Sequence, residues 1–120
     1  MSLEIGSAAP EFNLKDQHGA DISLSSFKGS KNVVITFYPF AFSGLCTGEL
    51  CGLRDDLGAF QNDNVQLIAI SCDPMYSLKA FAEQEGYKFP LLADFWPHGA
   101  AAKAYGVFNE ERGCSTRGTF

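Results

Sequence analysis

The 120 residues contain no apolar run approaching the roughly 18 residues that a membrane-spanning helix needs. Basic residues are few, 9 Lys and Arg against 14 Asp and Glu, for a net charge of −5. Phosphate binding draws on a Lys/Arg surplus, so this balance argues against a nucleic-acid partner. The start, Met1-Ser-Leu-Glu-Ile-Gly6, carries neither a basic segment nor an apolar one, and no secretory signal is visible. Repeats, low-complexity tracts and blocks of like charge are absent. Histidine is scarce: His18 reads as a turn residue and His98 as a helix-start residue. Together these absences predict a cytoplasmic protein with no membrane partner, acting on something neutral or small.

A Cys-x-x-Cys pair is also missing. The four cysteines are Cys46, Cys51, Cys72 and Cys114, and the first two have four residues between them. That spacing speaks against a dithiol–disulfide exchange enzyme built on Cys-x-x-Cys. It speaks against a four-cysteine zinc module too, because no second pair matches the first. No metal and no cofactor are expected. In a reducing compartment such thiols are buried small hydrophobes, metal ligands or reactive groups. Cys72, inside an apolar run, and Cys114 read as the first kind.

What is present is an ordinary globular composition, 46% apolar and 19% charged, over a length that suits one domain spanning residues 1–120. Residues 3–30 read as short extended pieces broken by turns at Asp16-Gln-His-Gly19 and Lys28-Gly-Ser30. Val33–Phe37 is β-branched and aromatic, as in a buried strand, and it stops at Tyr38-Pro39. Val65–Ile70 predicts a second buried strand. Asp73-Pro74 predicts an N-cap with proline at the first helical position, opening a helix that runs to Gly86. Phe89–Leu92 predicts a third strand and His98–Ala104 a short helix. Strands alternating with helices define an α/β domain with an at least partly parallel sheet.

The most informative helix is predicted from about Ser43 to Gln61. Cys46, Leu50, Leu53, Leu57 and Phe60 are spaced 4, 3, 4 and 3, which is one helical face. Cys46 opens that inward stripe, and with Ser43 as N-cap it lies in the first turn. Free backbone N–H groups and the positive end of the helix dipole there favour thiolate over thiol. The position is also just past the carboxyl end of a strand, where open α/β sheets place their ligands. Spacing alone therefore nominates Cys46 as a poised nucleophile.

Pro39, Ser43 and Cys46 stand in the order Pro-x-x-x-Ser-x-x-Cys. Before them lies Ala9-Pro-Glu-Phe-Asn-Leu-Lys-Asp-Gln-His-Gly19; after them come Pro90-Leu-Leu-Ala-Asp94, Tyr105-Gly-Val107 and Arg117-Gly-Thr-Phe120. In this order the segments resemble the peroxiredoxins along essentially the whole chain. Asp94-Phe-Trp-Pro-His-Gly99 resembles the AhpE type. Cys46-Thr-Gly-Glu-Leu-Cys51-Gly-Leu-Arg-Asp55 resembles the bacterioferritin-comigratory-protein type, with its second cysteine five positions on. The resemblance implies a thioredoxin-like fold with an N-terminal β-hairpin. It further implies a strand, a partner strand and a terminal helix beyond Phe120, without which the sheet would expose an apolar edge. The domain is accordingly expected to continue past residue 120.

By the same resemblance the chain is a thiol-dependent peroxidase that reduces hydrogen peroxide and organic hydroperoxides through a sulfenic acid on Cys46. Arg117 would hold thiolate and peroxide, Ser43 would hydrogen-bond the peroxide, and Pro39 would shape and shield the pocket. Glu49, one turn after Cys46, would orient Arg117. Each also has an ordinary use: ending a strand, capping a helix, or carrying surface charge. The reductant implied is thioredoxin, mycoredoxin or a low-molecular-weight thiol, and a homodimer stays open. Cys51 would resolve Cys46 as an intramolecular disulfide. Five positions on a helix separate Cα atoms by about 8.5 Å, beyond the roughly 7 Å that a disulfide spans, so the helix would have to unwind first. Gly44, Gly48 and Gly52 permit that. The alternative is a Cys51 that merely packs, with an external thiol completing the cycle.

Overall fold

The computed structural model describes residues 3–120. Its strands and helices follow in order as β1 (Asn13–Lys15), β2 (Asp21–Ser23), β3 (Asn32–Phe37), α1 (Gly44–Asp55), α2 (Leu57–Phe60) and β4 (Val65–Ser71). Then come α3 (Met75–Glu85), β5 (Leu91–Ala93), α4 (Ala100–Ala104), β6 (Phe108–Asn109), β7 (Cys114–Ser115) and β8 (Gly118–Thr119). Six strands form one sheet in the order β2-β1-β5-β4-β3-β8, and β6 with β7 forms a separate small hairpin. The β3–β4 and β4–β5 pairs are parallel, flanked by antiparallel pairs on either side.

The central strand β4 is apolar from Leu67 to Ile70, where both its faces are covered. Leu67 and Ala69 point into one core, and Ile68 and Ile70 into the other, as the two-residue period of a strand requires. The first core is closed by α1, α2 and α3 through Cys46, Leu50, Leu78 and Phe81. The second is closed by α4 and the flanking segments through Ala101, Ala102, Tyr105 and Phe12. Four of the helix stripe residues behave as the spacing predicts with some dilution: Leu50 is buried, while Leu53, Leu57 and Phe60 pack on the first core half-covered.

Several expectations need correction. The long helix is two helices, broken at Asp56 (φ −118°, ψ 32°). Asp55 and Asp56 place two carboxylates at the negative end of α1, where the helix dipole disfavours them. Asp73 does not cap α3; Pro74 occupies the cap position, with no side-chain cap bond. The Asp73 carboxylate is already engaged, accepting from the Ser71 hydroxyl at 2.7 Å and the Ala41 N–H at 2.8 Å. The strand expected only beyond Phe120 has begun: Gly118 and Thr119 pair with Phe37 and Thr36. Phe120 exchanges two backbone bonds with Ile35, so this stretch of the β3 edge is paired. The β6–β7 hairpin lacks the long apolar run that would betray it.

The N-terminal hairpin is as expected. Gly19 takes φ +82° at its turn, and Asp16 accepts the N–H groups of His18 and Ala20. Buried Gln17 ties this turn to β5, donating to the Phe89 carbonyl and accepting from the Leu91 N–H.

Candidate active site

The site is assembled where β3 ends. Tyr38 still donates its N–H to the Ile70 carbonyl at 3.1 Å, and buried Pro39, with no N–H to give, leads the chain out of the sheet. Because Phe37 lies opposite Ile70 in parallel register, the residues after both strands emerge side by side. That is why Asp73 reaches Ala41 and anchors the loop from Pro39 to Ser43. Phe42 turns this loop at φ +67°, a left-handed conformation costing a bulky side chain on the order of 1 kcal/mol. Its ring rests on Phe81, with centroids 5.0 Å apart. Ser43 stands at the N-cap position, but its hydroxyl donates to the Phe40 carbonyl at 3.1 Å and caps nothing.

Cys46 is the third residue of α1 and is 1% exposed. Its Sγ accepts a hydrogen bond from Arg117 Nη2 at 3.6 Å. Arg117 Nε in turn donates to Glu49 Oε1 at 2.6 Å. Glu49 lies three residues after Cys46, so both face the same side of the helix. The hydrogen bond to Glu49 holds the Arg117 guanidinium above its ordinary value; burial opposes it, and the nearby Cys46 sulfur adds a smaller upward effect. The arginine is delivered by the β6–β7 hairpin and β8. Gly118 beside it packs closely: a Cβ there would stand 3.1 Å from Val107 Cγ1, which would have to shift slightly to admit it. Ser115 fastens the hairpin to the site by donating its hydroxyl to the Tyr38 carbonyl at 2.6 Å.

Tyr38 lines the same end of the first core. Its hydroxyl has no partner among the described residues, and burial pushes the phenol upward, so it stays neutral. The structure thus places Arg117 between Cys46 and Glu49, bonded to both, and sets Pro39 and Ser43 in the loop that leads to them.

Cys51 is elsewhere on α1. Its Sγ donates to Glu85 Oε1 at 3.4 Å and lies 3.5 Å from the Tyr87 hydroxyl. All four cysteines are free thiols, and α1 is unbroken from Cys46 through Cys51. Cys72 and Cys114 are buried, and burial, reinforced by the Asp94 carboxylate, pushes the Cys72 thiol up to about 12. Sequence reasoning did not nominate Asp73, Ser115, Glu85 or Tyr87. For each of them only the tertiary fold supplies the signal.

A sheet of this order with helices on both faces, carrying a buried thiol at a helix start beyond its central strands, defines a thioredoxin-like domain of peroxiredoxin type. It superposes on the crystal structure of peroxidoxin BcpB from Mycobacterium tuberculosis with a TM-score of 0.85 and 34% identity, over 96% of this chain and 75% of that one. Residues 5–120 match the AhpC/TSA family, and the chain belongs to it. It is 51% identical over 118 residues to alkyl hydroperoxide reductase E of Mycobacterium tuberculosis, covering 98% of this chain and 77% of the relative. Peroxiredoxin Bcp of Escherichia coli is 37% identical over 109 residues, covering 91% and 68%.

Proposed function

We propose that the chain is a thiol-dependent peroxidase with Cys46 as its nucleophile. The observation that carries this reading is the Arg117 guanidinium 3.6 Å from a sulfur buried in the first turn of α1. The Cys46 thiolate attacks the distal oxygen of a hydroperoxide in line. The S–O bond forms as the O–O bond breaks; sulfur is oxidised to the sulfenic acid, and the remaining oxygen leaves as water or alcohol after taking a proton. Arg117 and the N–H groups of the Cys46 turn stabilise the charge that builds on the oxygens. Ser43, released from the Phe40 carbonyl, hydrogen-bonds the peroxide, and buried Pro39 keeps water from the sulfur. Glu49 holds Arg117 in place.

Cys51 then resolves the sulfenic acid as a Cys46–Cys51 disulfide, once the start of α1 unwinds. Support comes from Gly44, Gly48 and Gly52: a Cβ at any of them would meet nothing within 4 Å, so packing does not demand glycine there. Each weakens the helix by about 1 kcal/mol relative to alanine. Thioredoxin, mycoredoxin or a small thiol in the cytoplasm returns the disulfide to two thiols.

The experiment is peroxide consumption by wild type and Cys46→Ser, with non-reducing peptide mapping after one equivalent of peroxide. Wild type consumes peroxide and yields a peptide pair joined through Cys46 and Cys51; Cys46→Ser does neither. Consumption by Cys46→Ser at the wild-type rate overturns the peroxidase reading of Cys46. Joining of Cys46 to Cys72, Cys114 or only an added thiol removes the role of Cys51 and leaves the peroxidase standing.

A further inference from the structure

Cys51 packs half-buried against the first core, but its sulfur also meets polar groups that packing does not require. It is held between the last residue of α3 and the segment that follows. Glu85 Oε1 accepts from its thiol, and the Tyr87 hydroxyl lies 3.5 Å from the same sulfur. Tyr87 also donates to the Thr47 carbonyl at 3.3 Å, so one phenol touches both the resolving thiol and the segment that must unwind. On the helix itself Arg54 completes the surround. Its Nη1 is 3.9 Å from Glu85 Oε1 and donates to the Glu85 carbonyl at 2.6 Å, while Nε pairs with Asp55 at 2.9 Å. The charged and titratable groups around Cys51 among the described residues are therefore Glu85, Tyr87, Arg54 and Asp55.

A thiol must lose its proton to attack sulfur. We propose that Glu85 is the base that takes this proton during resolution, with Arg54 as the positioning residue that keeps the cluster's charge balanced. The inference rests on the reading of Cys51 as the resolving cysteine. In the step, the Cys51 S–H bond breaks toward the Glu85 carboxylate and the new sulfur electron pair attacks Cys46 Sγ. The Cys46 S–O bond breaks, and its oxygen leaves as water with one proton gained. Cys51 sulfur is oxidised and Cys46 sulfur reduced, so no further oxidant enters. Arg54, beside the carboxylate, faces a thiolate and a neutral acid after transfer where it faced a thiol and a carboxylate before; the net charge is unchanged. Because Cys51 is anchored from α3, it is the Cys46 end of α1 that moves.

Rapid-quench alkylation followed by non-reducing peptide mapping measures disulfide formation separately from the initial loss of the Cys46 thiol. Wild type, Glu85→Gln and Glu85→Asp are compared from about pH 6 to about pH 9. All three lose the Cys46 thiol at one rate. Glu85→Gln forms the disulfide roughly a hundredfold more slowly than wild type near pH 7, and the gap narrows as pH rises because hydroxide substitutes for the missing base. Glu85→Asp restores part of the rate. A Glu85→Gln disulfide rate equal to wild type, or lowered by the same factor at every pH, overturns the role of Glu85 while Cys51 keeps its own. Absence of any Cys46–Cys51 disulfide in wild type overturns both.

Discussion

Cys46 and Cys72 both lie beyond the carboxyl ends of neighbouring parallel strands, and both are nearly inaccessible, at 1% and 6% exposure. Burial alone drives any thiol toward its protonated form. What separates the two is the sign of what surrounds them. Cys46 has a helix start around its backbone and a guanidinium on its sulfur. Cys72 has Asp94, whose carboxylate accepts the N–H groups of Ala101 and Ala102 at the start of α4 and whose charge adds to the burial that raises the thiol. The helix start near Cys72 is thus spent on a carboxylate, and the one near Cys46 is left for a sulfur. The two buried thiols of this fold differ in the donors and charges around them and hardly at all in exposure.

The strongest way to break that contrast is to remove the cation. Arg117→Met keeps much of the side-chain length and loses both charge and donors. Loss of one positioned transition-state donor lowers rates by roughly 10²–10³-fold. We expect a fall of that order in Cys46 oxidation, read by competition against a peroxide-sensitive probe, with the far-ultraviolet spectrum of the fold unchanged. An oxidation rate within about threefold of wild type would leave Arg117 as a bystander.

Glu49→Gln sharpens the comparison by keeping the acceptor and removing the charge. The Glu49–Arg117 pair is close to half exposed, at 46% and 43%, so solvent already screens it. The expected loss in oxidation rate is less than about fivefold, and it should shrink further in high salt. A loss as large as that of Arg117→Met would mean that Glu49 acts on the peroxide itself.

Much of this arrangement was legible in the residues. The 4-3-4-3 stripe placed Cys46 at the inward start of a helix, and Tyr38-Pro39 marked the strand end that precedes it, because period and proline act locally. Arg117 could be nominated only by resemblance, since its place beside Cys46 depends on contact across 71 positions. Ser43 shows the limit of local rules: it stands at the N-cap of α1 as predicted, yet its hydroxyl turns to donate to the Phe40 carbonyl and its oxygen accepts from no helix N–H. Asp73 failed the same way, because the parallel register brought Ala41 within reach of a side chain that local sequence assigned to α3. The surroundings of Cys51 were illegible, being drawn from the far end of α3.

The smallest effect is expected at Cys72. Cys72→Ala removes a sulfur that lies outside the proposed site, so the Cys46 rate should stay within about twofold of wild type, and stability should fall by about 1 kcal/mol for the small cavity. Its signature is in the pH dependence. The Cys72 thiol is pushed to about 12 in the fold from an ordinary 9.0. Below the ordinary value both folded and unfolded chains carry the proton, and the thiol's contribution is fully present. Above it the unfolded chain ionises while the folded one cannot, so wild type loses on the order of 1.4 kcal/mol per pH unit from this group until the folded value is reached. Cys72→Ala has nothing to lose there. Urea midpoints measured from about pH 8 to about pH 11 should therefore show the variant starting below wild type, drawing level at about pH 10 and lying above it by about pH 11. A gap that stays constant across that range would mean that Asp94 and burial do not disfavour the Cys72 thiolate, and the contrast with Cys46 would lose its electrostatic basis.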